Sequence, residues 1–170
     1  MKEFFTTKRL CRAGIIAALY VALTYVFLPF AFGPLQIRPA EAFCILPLLF
    51  SEAIPALYVG CMIVNLSSAY AFYDVIFGSL ATLLAAFGTY MVGRFFKNVA
   101  IKISLGGIFP VLLNAVIIPF IIIFLYGESM PSSALVTYFT YAASIALTES
   151  VWVYALGAPL YLALAKRYKK

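Results

Sequence analysis

The sequence predicts an all-α membrane protein with six transmembrane helices. Three observations predict it. Of the 170 residues, 65% are apolar or aromatic and 11% are charged, about half the charged fraction of a soluble domain. The apolar residues fall in long runs that a bilayer can solvate. The basic residues sit at the ends of those runs, where they read as topology signals and not as a nucleic-acid surface.

The first run, 13–31, is closed by Pro29, Gly33 and Pro34. It is preceded by Lys2, Lys8, Arg9 and Arg12, a pattern shared with signal peptides, but its length and the five runs after it favour a mature span. The region from Pro39 to Ala71 divides into two helices, 39–51 and 53–71. Pro39 suits a first helical turn, Ser51-Glu52 interrupts the run, and Pro55 suits the next first turn. The remaining helices are placed at 74–94, closed by Arg94 and Lys97; 102–126, ending at Gly127; and 134–166, closed by Lys166 and Arg167. All six form one integral membrane domain over 1–170. Six spans put every one of the 12 basic residues except Arg38 on one side, so both termini are placed in the cytoplasm of a multi-pass cell-membrane protein.

Arg38 stands apart in "QIRPAEAF" (36–43). The helix from Pro39 to Phe50 is short: twelve residues at 1.5 Å give ~18 Å, against ~30 Å of hydrocarbon. The Phe32–Arg38 loop is therefore expected to dip inward, with Arg38 and Glu41 at the mouth of an outward-facing cavity. An ion pair between these two residues is the alternative reading.

Acids and amides inside apolar runs are costly, on the order of 3 kcal/mol for a central carboxylate, and mark function. Glu149, near the centre of the last run, is the foremost candidate for substrate binding. Its structural alternative is a helix–helix hydrogen bond, for instance to Asn114. Asn65 and Asn114 read equally as packing or as ligand contacts. Asp74 reads first as a helix cap and second as a site residue, and Glu52 as a cap. Glu128 reads as a loop charge. Tyr70, Tyr73, Tyr141 and Trp152 are candidates for stacking on a flat ligand, with an interfacial belt as the alternative. On the first helix, Gly14, Ala18 and Ala22 form one small-residue stripe and Ala13 with Ala17 a second. Such stripes admit a neighbouring helix, from a partner or from this chain.

No catalytic residue, metal site or cofactor is assigned. Histidine is absent, Cys11, Cys44 and Cys61 are far apart, and no G-x-x-x-x-G-K-[S/T] phosphate loop occurs. An intramembrane enzyme would need a nucleophile with a base, and every lysine sits at the basic edge. The pattern fits a substrate-binding subunit that relies on another protein's motor, and fits a ligand-free structural protein less well.

The segments "GPLQIRPAEAFCILPLLFSEAIPALYVGCMIVNL" (33–66), "YDVIFGSLATLLAA" (73–86) and "TESVWVYALGAPLY" (148–161) carry a resemblance over nearly the whole chain. They resemble the S components of energy-coupling-factor transporters, and among them the queuosine-precursor transporter (QueT) family. The resemblance implies an S-component-like bundle of six helices with substrate near the outer face, covered by the loops between helices one and two and between three and four. It also implies a membrane scaffold T component docking on the alanine stripe, and two cytoplasmic ATPases. The implied substrate is a queuosine precursor, queuine or a related 7-deazaguanine. A guanine-like edge presents two adjacent N–H donors that a carboxylate accepts in bidentate fashion. Glu149 and Glu41 are the candidate acids, with Asn65 or Asn114 reading the carbonyl. The same architecture serving riboflavin, thiamine or biotin is the alternative.

Overall fold

The computed structural model describes residues 6–33, 35–126 and 133–168. Glu128, Gly127, Pro34, Lys2 and the last two lysines, which bear on the topology and helix ends, lie outside the described residues. Among the described residues every regular element is helical. Four helices are long and apolar enough to cross a membrane: α1 (Thr7–Val26), α3 (Ala71–Phe95), α4 (Val99–Leu125) and α5 (Ala134–Tyr168). Between α1 and α3 lie two shorter apolar pieces, a 3-10 helix at Pro39–Leu48 and α2 at Ala53–Asn65.

The boundaries move from those expected of the sequence. α1 begins at Thr7, so Lys8, Arg9 and Arg12 are on the helix and not ahead of it. α2 stops at Asn65, and a turn through Ser67 and Ser68 follows, closed by Ser67 N–H donating to the Val64 carbonyl at 2.9 Å. α3 begins at Ala71, with Tyr70 as its N-cap, so Asp74 lies inside the helix and does not cap it. Glu52 does occupy the N-cap position of α2, but its side chain makes no capping bond.

The 3-10 helix is the centre of the fold. It touches α1, α2, α3, α4 and α5. Pro39, Glu41, Cys44, Ile45, Leu46 and Leu48 are all buried. A helix apolar on nearly every side is a core helix. Ten residues of 3-10 geometry are unusual, since runs beyond three or four are uncommon. Two features favour them here. Pro47 lies inside the helix, where an α-turn would bring its ring against the carbonyl four residues back. The narrower 3-10 coil also lets neighbouring backbones come close. A Cβ on Gly157 would meet the Ala42 carbonyl oxygen at 2.8 Å, and one on Gly93 would meet the Leu48 carbonyl oxygen at 2.9 Å. At about 2.0 Å per residue the element spans ~20 Å, short of the hydrocarbon thickness.

The distribution of polarity is inverted relative to a soluble domain. Glu41, Asn65, Asp74, Asn114 and Glu149 are buried, while Leu19, Val26, Val116, Phe124 and Leu147 are exposed. An exterior of this kind needs lipid as its solvent, and the chain is a multi-pass membrane protein.

Gly157→Ala will lower the thermal midpoint of the purified protein, because the added methyl group meets backbone and overpacking costs about 1–3 kcal/mol. Gly14→Ala, where a Cβ meets nothing within 4 Å, will hold or raise the midpoint. Thermal unfolding of both variants in the same detergent checks the contrast.

Candidate functional site

The buried polar groups form two neighbouring networks around the 3-10 helix. The first is built on Glu41, placed one turn into that helix by Pro39. Its carboxylate is 2% exposed and spends both oxygens inside the chain. The Tyr20 hydroxyl of α1 donates to Oε1 at 2.5 Å, and the Cys44 thiol, one turn on, donates to Oε2 at 2.9 Å. Tyr20 and Thr24 are themselves fully buried, and the Thr24 hydroxyl donates to the Tyr20 carbonyl.

Arg38 does not pair with Glu41. The salt bridge among the described residues is Arg12 with Glu52, at 2.6 Å, which gives Glu52 a role other than capping. The Arg38 Nε–H donates to the Ala31 carbonyl at 2.6 Å, and the guanidinium lies 4.9 Å from the centre of the Phe32 ring. This clasp draws Ala31 and Arg38 together. Ile37 N–H donates back to the Phe30 carbonyl, and Ala31, Gln36 and Arg38 are all buried. Gln36 adopts φ 45°, a region that residues other than glycine reach rarely. The loop residues Gln36 and Arg38 are buried, and Arg38 and Glu41 do not stand at an open mouth. They are covered, because the clasp closes the loop upon itself.

Glu149 lies on α5, two residues before a π-type stretch at Val151–Gly157. The Asn114 side-chain amide of α4 donates to its Oε1 in a short contact. This is the helix–helix bond that stood as the structural alternative for Glu149. It satisfies one oxygen only: Oε2 is buried and has no hydrogen-bond partner. Glu41 and Arg38 are within electrostatic reach of Glu149. One turn on, the half-buried Trp152 has an indole N–H that is buried and unpartnered.

The second network joins α2, α3 and the end of α4. The Asn65 amide nitrogen donates to the Asp74 carbonyl at 2.8 Å and to the Ser79 hydroxyl at 3.2 Å. A backbone carbonyl only accepts, so the amide orientation is fixed. Its oxygen, Oδ1, is then buried without a partner. The Asp74 carboxylate accepts from the Tyr126 hydroxyl at 2.6 Å and, in a short contact, from the Ser68 hydroxyl. Burial and that bond to Asp74 push the Tyr126 phenol above its ordinary range, which keeps it a donor. Tyr70 stacks on Tyr126 at 3.8 Å, nearly parallel, with Tyr73 tilted 6.5 Å away. Tyr73 and Tyr141 pack partly against the cluster of Ile118, Ile121, Ile122 and Ile145.

The two small-residue stripes part company. Ala13 and Ala17 pack within the chain, with Gly60 of α2 close to the Ala17 carbonyl and the Tyr20 ring. Gly14, Ala18 and Ala22 are exposed.

Sequence reasoning passed over Tyr20, Cys44, Ser68 and Tyr126, which hold the acids. For Cys44 the signal was available, three residues after Glu41 on one helix. Tyr20 and Tyr126 are two rings among 16 Phe and 12 Tyr, and spacing does not distinguish them.

A protein-family model described as "QueT transporter" matches residues 10–166. Over 84 residues the chain is 38% identical to the queuosine precursor transporter QueT of Lactococcus lactis subsp. cremoris strain MG1363. That match covers 48% of this chain and 49% of the relative, so the chain spans about half the length of the curated relative it matches. No solved structure matches the chain.

Removing the Tyr20 hydroxyl with Tyr20→Phe leaves a buried Glu41 oxygen without its donor, a loss of about 1–3 kcal/mol. Tyr25→Phe, whose hydroxyl bonds Ser67 at the surface, will change stability by less than about 0.5 kcal/mol. Chemical denaturation of the two variants side by side measures the difference.

Proposed function

Because this chain belongs to the QueT transporter family, we propose that it is the substrate-binding membrane subunit of an ATP-driven energy-coupling-factor importer. It crosses the membrane six times, with both termini cytoplasmic. The 3-10 helix and α2 form the two short spans. It binds a queuosine precursor, queuine or a related 7-deazaguanine, on the outer side and delivers it inward. The relative from Lactococcus lactis bears the name of a queuosine precursor transporter, in keeping with this substrate class.

One observation carries the reading. Among the described residues, three buried polar atoms lack partners: Glu149 Oε2, Asn65 Oδ1 and Trp152 Nε1. Orphaned groups of this kind are rare in native proteins, and each demands a cause. They comprise two acceptors and one donor. A guanine-like edge offers the complement, two adjacent N–H donors beside a carbonyl. Riboflavin, thiamine and biotin lack that edge. In this reading Glu149 Oε2 and Asn65 Oδ1 accept from the ring N–H and the exocyclic amine, the Trp152 indole N–H donates to the carbonyl, and the tyrosines flank the ring. Glu41 and Arg38 lie behind the site. The Arg38–Ala31 clasp opens to admit the ligand.

The chain contains no nucleotide-phosphate loop, so the work of transport falls to a membrane scaffold T component and two cytoplasmic ATPases. The exposed Gly14, Ala18 and Ala22 supply the docking stripe for the scaffold.

Calorimetry on the purified chain tests the substrate. A 7-deazaguanine will bind, and riboflavin, thiamine and biotin will not; a well-folded protein that ignores deazaguanines rejects the assignment. Glu149→Gln will keep the fold and lose about 10- to 100-fold in affinity, the worth of a hydrogen bond to a charged group. An unchanged affinity assigns Glu149 to packing. Bulky residues at Ala18 and Ala22 will spare binding and abolish uptake by cells, and surviving uptake removes the docking stripe.

A further inference from the structure

At the basic end of the bundle two cavities share a wall. The first, of about 420 Å³, is lined by Arg9, Arg12 and Arg94 together with Ser51, Glu52 and Tyr90. The second, of about 240 Å³, is an apolar groove between α1 and α5, with Ile15 and Leu19 on one side, Leu160 and Leu164 on the other, and Phe43 in its lining. Arg12 and Phe50 line both. Arg12 is held at this junction by its salt bridge to Glu52 and by lying 4.3 Å from the Phe50 ring and 5.0 Å from the Tyr168 ring. The bridge sets Arg12 against Glu52, and the positive balance of the first cavity rests on Arg94. Arg94 is exposed and has no acidic partner among the described residues.

A basic cavity opening beside an apolar groove is complementary to an anionic amphiphile. We propose that this end of the bundle binds an anionic phospholipid, with its phosphate at Arg94 and Arg12 and one acyl chain along the groove between α1 and α5. Basic pockets between membrane helices recognise lipid head groups in this manner. From Arg12 to Leu19 the groove runs ~10 Å along α1, at 1.5 Å per residue, enough for the upper part of a chain. An inorganic anion would meet the positive charge at Arg94 and leave the groove unused. A zwitterionic lipid would fill the groove and set its own cation against the arginines. Only the anionic lipid uses both.

The test is thermal unfolding of the full chain in detergent, titrated with short-chain phosphatidylglycerol, with the matching phosphatidylcholine and with inorganic phosphate. Native mass spectrometry on the same samples counts retained lipid. Phosphatidylglycerol will raise the midpoint and remain bound. Phosphatidylcholine will require at least about fivefold higher concentration, and inorganic phosphate will give no shift over the same range. Arg94→Gln will keep the lipid-free midpoint and weaken phosphatidylglycerol about fivefold, the effect of one arginine near a lipid phosphate. Leu164→Trp, which fills the groove, will weaken both lipids. Equal effects of the two lipids, full protection by phosphate alone, an Arg94→Gln variant that binds as the parent does, or a groove that retains a protein helix and no lipid would each overturn the proposal.

Discussion

A polar group inside hydrocarbon has to find its hydrogen bonds within the protein, and this constraint orders the bundle. The 3-10 helix carries Glu41 into the middle of the molecule, where no water replaces lost partners. Tyr20 and Cys44 supply them. To reach Glu41, α1 must lie close to the 3-10 helix, and Gly60 lets α2 approach α1 at the same level. Gly157 brings α5 against Ala42 from another side, and that contact sets where Glu149 lies, two turns earlier on α5. The packing of the helices and the placement of the acids are therefore one problem with one solution.

The helical architecture was legible in the sequence because run length, proline and lysine or arginine placement report directly on a bilayer. Ser51-Glu52 and Pro55 marked the break before α2 for a local reason: a helix start needs particular residues. Glu149 and Asn114 were legible for an energetic one, since few polar groups enter such runs without cause. Other features were not. The 3-10 geometry depends on how closely Gly93 and Gly157 let other backbones approach, a tertiary fact that no local pattern encodes. Asp74 resembled a cap because it precedes an apolar run, and only the position of Tyr126 at the end of α4 turns it into a buried acceptor. Arg38 and Glu41 read as a pair by spacing, while the chain gives each a different partner.

In the proposed site some buried groups are satisfied and others are not. Glu41 and Asp74 have their donors, and they hold the frame. Glu149, Asn65 and Trp152 keep one unsatisfied atom each. A frame that is fully bonded can keep such groups aimed without a guest, which lowers the ordering cost when a guest arrives. In that proposal the cover is the Arg38 loop, held by the Arg38 bond to Ala31, about 1.5–3 kcal/mol for a charged donor, and by the Ile37 bond to Phe30, about 1 kcal/mol net. In the proposed importer, opening such a cover demands little compared with what binding returns.

Three π-type stretches interrupt the long helices, at Asp74–Gly78, Ile121–Leu125 and Val151–Gly157. The first begins at a buried acid, and the third follows Glu149 closely and contains Trp152. A wide turn of this sort holds one residue more than an α-turn would use. Deleting a single residue between Val151 and Gly157 would let this stretch close toward α geometry while the turns on either side keep their register. A deletion in the regular helix before it has no such slack, and would rotate the glycine notch by about 100° relative to the turns ahead of the deletion. The wide turn is thus the place between Glu149 and Gly157 where a change of one residue in chain length can be absorbed, so a deletion there should be better tolerated than one in the regular turns ahead of Glu149.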